Sequence, residues 1–176
     1  MKNKWILVLL LLVSCTHKAQ RKTWDQEKLF PNGIYSQRVQ LEVLNKNEVK
    51  ASFPFSSITR LENSRFEVIG LSPFGTTVFE ASGNMEKPED LNIKFYVKPP
   101  DFLKKPFIEK TFAQLNLLYS LKESDLTQRE RSDYYKKDAI EMEIFKYNAQ
   151  SIPSVIKLTS PQWRAYVQTQ SYKKLP

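Results

Sequence analysis

The feature that most limits how this chain can fold is a period-two alternation of apolar and polar residues that recurs along it. Leu91, Ile93 and Phe95, for example, alternate with more polar neighbours. An alternation of this period buries one face of a β-strand and leaves the other in water. Turn residues separate the alternating runs, which together predict about eight antiparallel strands. The runs are residues 35–43, 49–55, 66–68, 78–79, 91–97, 140–144, 155–158 and 163–167.

One segment, residues 104–125, has a helical period instead. Its apolar residues Ile108, Phe112, Leu115 and Tyr119 follow one another at spacings of four, three and four, which is typical of an amphipathic helix. Strands combined with one helix predict an α+β fold, in which the sheet curls to cover the apolar face of the helix. Residues 126–138 are very polar, and either a mobile loop or a short helix fits them.

The N-terminus has the features of an export signal. Lys2 and Lys4 precede an apolar run, residues 5–13, that is too short for a membrane-spanning helix, since such a helix needs about 20 residues. Residues 1–14 are therefore predicted to be a cleaved signal peptide. Leu12, Val13, Ser14 and Cys15 resemble the bacterial lipobox, whose cysteine is acylated after cleavage.

Acylation would also explain why an exported protein carries a single cysteine, Cys15. The alternative is an ordinary cleaved signal followed by an unmodified cysteine. Residues 15–28 are then a tether and residues 29–176 the folded domain. Thr16 follows the cysteine, where the enterobacterial signal for inner-membrane retention would be Asp. We therefore expect a lipid anchor in the outer membrane, with the domain facing the periplasm.

The charge of the chain fits this location. The formal net charge is +8, a balance that suits either nucleic acid or anionic headgroups. The basic residues are scattered in short clusters such as Lys136–Lys137 and Lys173–Lys174, which is typical of a solvated surface. A lipidated envelope protein meets lipid far more often than nucleic acid, so no nucleic-acid partner is predicted.

The sequence contains no recognisable catalytic or metal-binding motif. Its one histidine, His17, lies in the tether, and no zinc-ligand spacing or glycine-rich phosphate loop occurs. Glu141 and Glu143 share one face of a predicted strand and could act as an acid–base pair, but a solvated strand face is the favoured interpretation. We therefore predict a protein that is not an enzyme and has no cofactor and no metal.

Pro73, Phe74 and Gly75 form a predicted turn with an unusual tip. Proline fixes φ and glycine permits a positive φ, so the chain reverses here. Turns favour small polar residues, and a phenylalanine at the tip either folds back onto the core or projects apolar surface outward.

The stretch FEVIGLSPFGTTVFEA, residues 66–81, resembles the LolB family of outer-membrane lipoprotein receptors, which take lipoproteins from the periplasmic carrier LolA. That family has a proline, a large apolar residue and a glycine at a protruding loop, followed by small hydroxyl residues. The stretch IPSVIKL, residues 152–158, resembles the family's entry into its last hairpin. Related uncharacterised lipoproteins encoded near aryl-polyene or fatty-acid loci resemble residues 72–81 equally well.

The resemblance implies a strongly curved antiparallel half-barrel that is closed by one or more helices and encloses an apolar cavity for acyl chains. In that family the apolar loop residue is exposed and helps to pass the incoming lipoprotein to the membrane, which gives Phe74 a membrane-inserting role. The implied cavity lining is Val39, Leu41, Val43, Ala51, Phe53, Phe66, Val68, Phe79, Ile93 and Phe95, with Ile108, Phe112, Leu115 and Tyr119 as the lid.

Two functions of different kinds follow from these observations. In the first, the protein binds the acyl chains of lipids or lipoproteins, with a periplasmic carrier as a partner, and assists their delivery to the membrane. In the second, the domain has a solid core and serves in envelope assembly by binding a protein partner. An empty apolar cavity would favour the first function, and a filled core with an apolar external patch would favour the second.

Overall fold

The computed structural model describes residues 28–98, 111 and 119–176. The predicted signal peptide, the predicted acylation site Cys15 and the predicted tether before residue 28 lie outside the described residues, and so do Ile108, Phe112 and Leu115 of the predicted lid. Those assignments remain predictions.

Ten antiparallel strands make up one sheet. Their order across the sheet is β5-β4-β3-β2-β1-β10-β9-β8-β7-β6, so the first strand pairs with the last. Other consecutive strands lie side by side, except β5 and β6, which form the two edges. The strands are β1 Gly33–Asn45, β2 Glu48–Glu62, β3 Arg65–Leu71, β4 Thr77–Asn84, β5 Lys87–Phe95, β6 Thr127–Gln128, β7 Asp133–Lys137, β8 Ile140–Tyr147, β9 Pro153–Thr159 and β10 Trp163–Lys174.

The alternation in the sequence determines which face of the sheet is buried. In β3, Phe66 and Val68 are buried whereas Glu67 and Ile69 are exposed. We call the face that carries Phe66 and Val68 the inner face. Short turns with left-handed backbone join the hairpins, as at Lys46–Asn47 and Asn63–Ser64, where φ lies between 47° and 69°.

Several irregularities in pairing interrupt the strands. The register shifts between Ser36 and Gln37 of β1, and again between Gly70 and Leu71 of β3. Such bulges bend a strand and increase its twist. They allow a long sheet to curve over its own inner face.

Segments outside the strands cover the inner face where its side chains are most deeply buried. The backbone N–H of Leu29 donates to the carbonyl oxygen of Leu121 at 2.8 Å, which fixes these two segments side by side. The ring of Tyr119 packs edge-on against Phe30, with centroids 5.5 Å apart, and lies 6.5 Å from the ring of Phe66. Leu29, Phe30 and Leu121 are buried, so these segments form part of the core.

The prediction of an α+β half-barrel closed by helices was wrong. The described residues are 66% strand and 4% helical, and they form an open ten-stranded sheet. The helical positions among them are Thr111, Tyr119 and the short 3₁₀ turn Glu123–Asp125. Two causes can be named: the polar segment 126–138 adds the strands β6 and β7, and non-strand chain at Leu29–Phe30 covers the inner face.

Candidate functional site

The burial of the inner face changes along the strands β1 and β2. Near the β2–β3 turn, Tyr35 and Leu61 are 0% exposed. Toward the β1–β2 turn, the inner-face side chains become half-buried, as at Leu41 and Phe53, which pair across the two strands. The register also brings the β3–β4 turn to this end of the sheet. We call it the Phe74 end, because Phe74 lies in that turn.

The strands β4 and β5 continue the half-buried region. Phe79 pairs with Phe95, and Ala81 pairs with Ile93. Phe79 is buried between two other rings, with its centroid 5.6 Å from that of Phe55 and 6.3 Å from that of Phe95. Phe55, Ile93 and Phe95 keep part of their surface accessible. An aromatic and aliphatic surface is therefore partly open at the Phe74 end.

The other half of the inner face is more completely buried, although Tyr135 and Val167 keep part of their surface accessible. Met142 and Ile144 of β8 are buried, and so are Trp163 and Ala165 of β10 at the start of the last strand. The accessible apolar surface therefore belongs mainly to β1, β2, β4 and β5. We call this surface the apolar patch; its half-buried members are Val39, Leu41, Val43, Ala51, Phe53, Phe55, Val78, Leu91, Ile93 and Phe95.

The structure brings the predicted strand residues of the cavity together on one face. Phe66, Val68 and Phe79 are buried, whereas Tyr119 is half-buried against the core. The cavity lining predicted from the sequence did not include Phe55, Val78 and Leu91, which the patch contains. The alternation would have identified Phe55 and Leu91, since each lies two residues from a predicted lining residue. The remaining predicted lining residues, all half-buried, are Val39, Leu41, Val43, Ala51, Phe53, Ile93 and Phe95.

A row of polar side chains crosses the inner face of β1, β2 and β10 next to the sealed end. The Gln37 amide nitrogen donates to Thr169 Oγ1 at 3.5 Å, and Thr59 Oγ1 donates to the Gln37 amide oxygen at 3.4 Å. Thr169 Oγ1 in turn donates to the carbonyl oxygen of Pro153 at 3.0 Å. Burial raises the pKa of the Tyr119 phenol, and its hydrogen bond with Thr59 opposes part of that shift. The row is neutral, so it gives the patch no fixed charge at its inner limit.

The Phe74 turn is held by its own hydrogen bonds. Ser72 N–H donates to the Thr76 carbonyl oxygen at 2.8 Å, and Gly75 N–H donates to the Ser72 carbonyl oxygen at 2.9 Å. The Ser72 hydroxyl oxygen also accepts from the N–H groups of Phe74 and Thr76, both at 3.2 Å. Gly75 has a φ of 80°, which the turn requires and which glycine adopts without strain. The turn holds Phe74 with 95% of its surface exposed.

Neither metal ligation nor membrane spanning is indicated in the part of the chain that the structure describes. Its histidine, cysteine and acidic side chains include no group of three or more suited to a metal ion. Its helical segments include none long and apolar enough to cross a membrane.

No protein-family model and no curated protein matches the sequence. Among solved structures, the chain is similar to a LolA superfamily protein from Nitrosomonas europaea, with a TM-score of 0.44 and 10% sequence identity over 87% of this chain and 88% of that one. That structure belongs to the superfamily that the sequence was predicted to resemble. A likeness of this strength transfers neither a site nor a function, which have to rest on the geometry above.

Proposed function

We propose that this protein binds the acyl chains of lipids or lipoproteins on its apolar patch and assists their delivery to a membrane, without catalysing a reaction. The observation that carries this proposal is the gradient of burial along the inner face. One end is sealed by packed side chains, and the Phe74 end leaves aromatic and aliphatic surface partly accessible.

The chemistry of the apolar patch suits a flexible hydrocarbon chain. Its half-buried side chains are all aliphatic or aromatic, and Phe55, Phe79 and Phe95 supply a row of adjacent rings. Each CH₂ group moved from water onto such a surface contributes about 0.8 kcal/mol. Apolar sites with few polar groups fix neither the length nor the end of a chain, so cargoes with different acyl chains would be accepted.

Phe74 would carry out the delivery step. A fully exposed phenylalanine on a hydrogen-bonded turn costs little entropy to insert into lipid, because the turn is already ordered. The turn lies at the end of the sheet where the patch is accessible, so cargo leaving the patch would be close to the bilayer. The implied setting is the periplasmic face of the outer membrane, with acylated Cys15 as the anchor and a periplasmic carrier protein as the donor of cargo.

Native mass spectrometry tests binding directly. A Cys15→Ala chain is offered a triacylated lipopeptide beside Phe53→Asp and Ile58→Asp variants. Phe53 lies on the apolar patch, whereas Ile58 is an exposed apolar residue of the same strand on the opposite face. We expect one lipopeptide per chain for the parent and for Ile58→Asp, and loss of binding for Phe53→Asp.

The buried side chains Met142, Ile144, Trp163 and Ala165 of β8 and β10 support the second candidate function, envelope assembly through a protein partner. If the parent chain binds no lipopeptide, that function is favoured and the acyl-binding proposal fails. If Ile58→Asp abolishes binding as completely as Phe53→Asp, the patch is not the site.

A further inference from the structure

Three tips point toward the Phe74 end of the sheet. They are residues 46–50 around the β1–β2 turn, residues 72–76 of the β3–β4 turn, and residues 96–98, which follow β5. The strand order and the register place them at the same end, along one half of the sheet. We call these three segments the platform.

Each tip of the platform exposes large apolar surface. Phe74 projects from the middle tip, while Val49 is 49% exposed, Tyr96 48% and Val97 50%. Apolar residues exposed singly are ordinary on a protein surface, but their collection on neighbouring tips at one end marks an interaction surface.

The platform is also basic. Lys46, Lys50 and Lys98 are exposed, and Glu48 is the one acidic residue of these segments. Three lysines against one glutamate leave a net charge of +2. Glu48 pairs with Lys50 at 2.9 Å, with both side chains largely in solvent, so the pair is weak and yields readily to another anion.

Tyr96 of the platform is partly exposed and lies beside charged side chains of β4 and β5. Its hydroxyl donates to Glu80 Oε2 at 2.8 Å, and Lys94 Nζ lies 4.5 Å from its ring centroid. These contacts fix the ring with its polar group toward the sheet and hydrated charges beside it. Tyrosine is enriched at membrane–water interfaces because its ring is apolar and its hydroxyl is polar.

We propose that the platform docks on a bilayer surface that carries anionic phospholipid headgroups. The apolar tips enter the headgroup layer, and Lys46, Lys50 and Lys98 supply the attraction to its negative charge. Contact through three tips, rather than through Phe74 alone, fixes the orientation of the domain and holds the accessible end of the apolar patch against the membrane. This inference rests on the proposed function, because it assigns the membrane partner of the same end of the sheet.

An environment-sensitive fluorophore tests which end of the sheet meets lipid. On the full Cys15→Ala chain, the probe is attached either through Asn47→Cys in the β1–β2 turn or through Asn63→Cys in the β2–β3 turn at the opposite end. Both asparagines are exposed and both have positive φ, at 69° and 47°, so the two replacements are matched in backbone strain. The N-terminal segment is identical in both chains and cannot by itself distinguish the two probes.

With vesicles containing phosphatidylglycerol, we expect a blue shift for the probe at position 47 and none at position 63. Vesicles of phosphatidylcholine alone should give a weaker shift, and high salt should reduce the difference by screening. The double variant Lys46→Glu and Lys50→Glu should weaken binding to the anionic vesicles at least about tenfold while leaving binding to the neutral vesicles unchanged.

Equal shifts at positions 47 and 63, or binding indifferent to headgroup charge, would overturn the inference. The lipopeptide assay separates this failure from failure of the proposed function. Chains that bind lipopeptide but do not dock through the platform contradict only the platform, whereas chains that dock without binding any acyl chain contradict the acyl-binding function.

Discussion

Tyr35 shows what a single buried residue contributes at the sealed end of the inner face. Its hydroxyl donates to the Pro31 carbonyl oxygen, and its ring lies between Phe30 and Tyr172, with centroid distances of 6.2 and 4.9 Å. Burial, with smaller contributions from Tyr172 and Tyr119, raises the pKa of the Tyr35 phenol far above its ordinary value of 10.0. The folded protein therefore strongly favours the neutral phenol.

Replacing Tyr35 with Phe should lower the free energy of unfolding by about 1 kcal/mol at neutral pH, because one hydrogen bond is lost. The difference from the wild type should shrink as the pH rises above 10. Above that pH the phenol of Tyr35 ionises in the unfolded wild type but stays neutral in the folded wild type, so alkali destabilises the wild type through this residue. The variant has no phenol at position 35 and lacks this contribution.

Urea unfolding from pH 7 into the alkaline range measures this difference. Tyr166→Phe, at a 40% exposed position on the outer face, is the control and should leave stability nearly unchanged. If the difference in unfolding free energy between the wild type and Tyr35→Phe stays constant with pH, the raised pKa of the Tyr35 phenol is contradicted.

Phe74 gives the opposite case, a large apolar residue whose removal should cost no stability. Phe74→Glu should change the free energy of unfolding by less than about 0.5 kcal/mol, because the side chain is exposed. It should retain lipopeptide binding and slow transfer of the bound lipopeptide to vesicles. Transfer by the variant at the wild-type rate would show that Phe74 takes no part in the delivery step.

At the scale of the elements, the packing between β3 and β4 depends on a missing side chain. Gly70 pairs with Phe79, whose ring lies over the glycine, and a methyl group added at Gly70 would overlap that ring. Phe79 cannot move aside easily, because the rings of Phe55 and Phe95 pack against it. The glycine leaves room for the Phe79 ring against the sheet.

Gly70→Ala should therefore destabilise the protein by about 1–3 kcal/mol through overpacking. The same substitution in a Phe79→Leu background should cost clearly less, since the smaller side chain leaves room. Chemical denaturation of the two single variants and the double variant forms the cycle that tests this coupling. Additive costs would show that Gly70 serves some purpose other than accommodating the ring.

The sequence predicted most of the strands because alternation is a local signal. The buried face of residues such as Phe66 and Val68 can be predicted without reference to the rest of the chain. Asp133–Lys137 was missed because DYYKK has too few apolar residues to alternate visibly, although it pairs with β8 as β7. The α+β class failed because the polar residues 126–138 gave no strand signal, and because no local pattern shows that Leu29 and Phe30 are buried against the inner face.

At the scale of the whole molecule, the decisive contact is the pairing of the first strand with the last. Val43 pairs with Trp163 and Tyr35 with Tyr172, so β10 joins the half β1–β5 to the half β6–β9. No local pattern predicts such a pairing, because it depends on which edges remain free after the hairpins have formed. The burial gradient along the inner face could not be predicted from the sequence either. Alternation indicates which face of the sheet a residue lies on, but not how much of its side chain is buried.

Because β10 lies in the middle of the sheet, its loss should be far more damaging than its terminal position suggests. Deleting residues 163–176 removes buried Trp163 and Ala165 and exposes the adjacent edges of β1 and β9. We expect the truncated chain to lose cooperative unfolding altogether, since a domain's total stability is only about 5–15 kcal/mol.

Deleting only Leu175 and Pro176, which follow β10, is the matched control and should preserve the unfolding transition. Circular dichroism during urea titration, with limited proteolysis of both chains, compares them. A sharp transition in the chain that lacks residues 163–176 would mean that the β1–β5 half folds independently. The apolar patch and the platform would then both lie on an autonomous unit, and β10 would serve only to attach strands β6–β9.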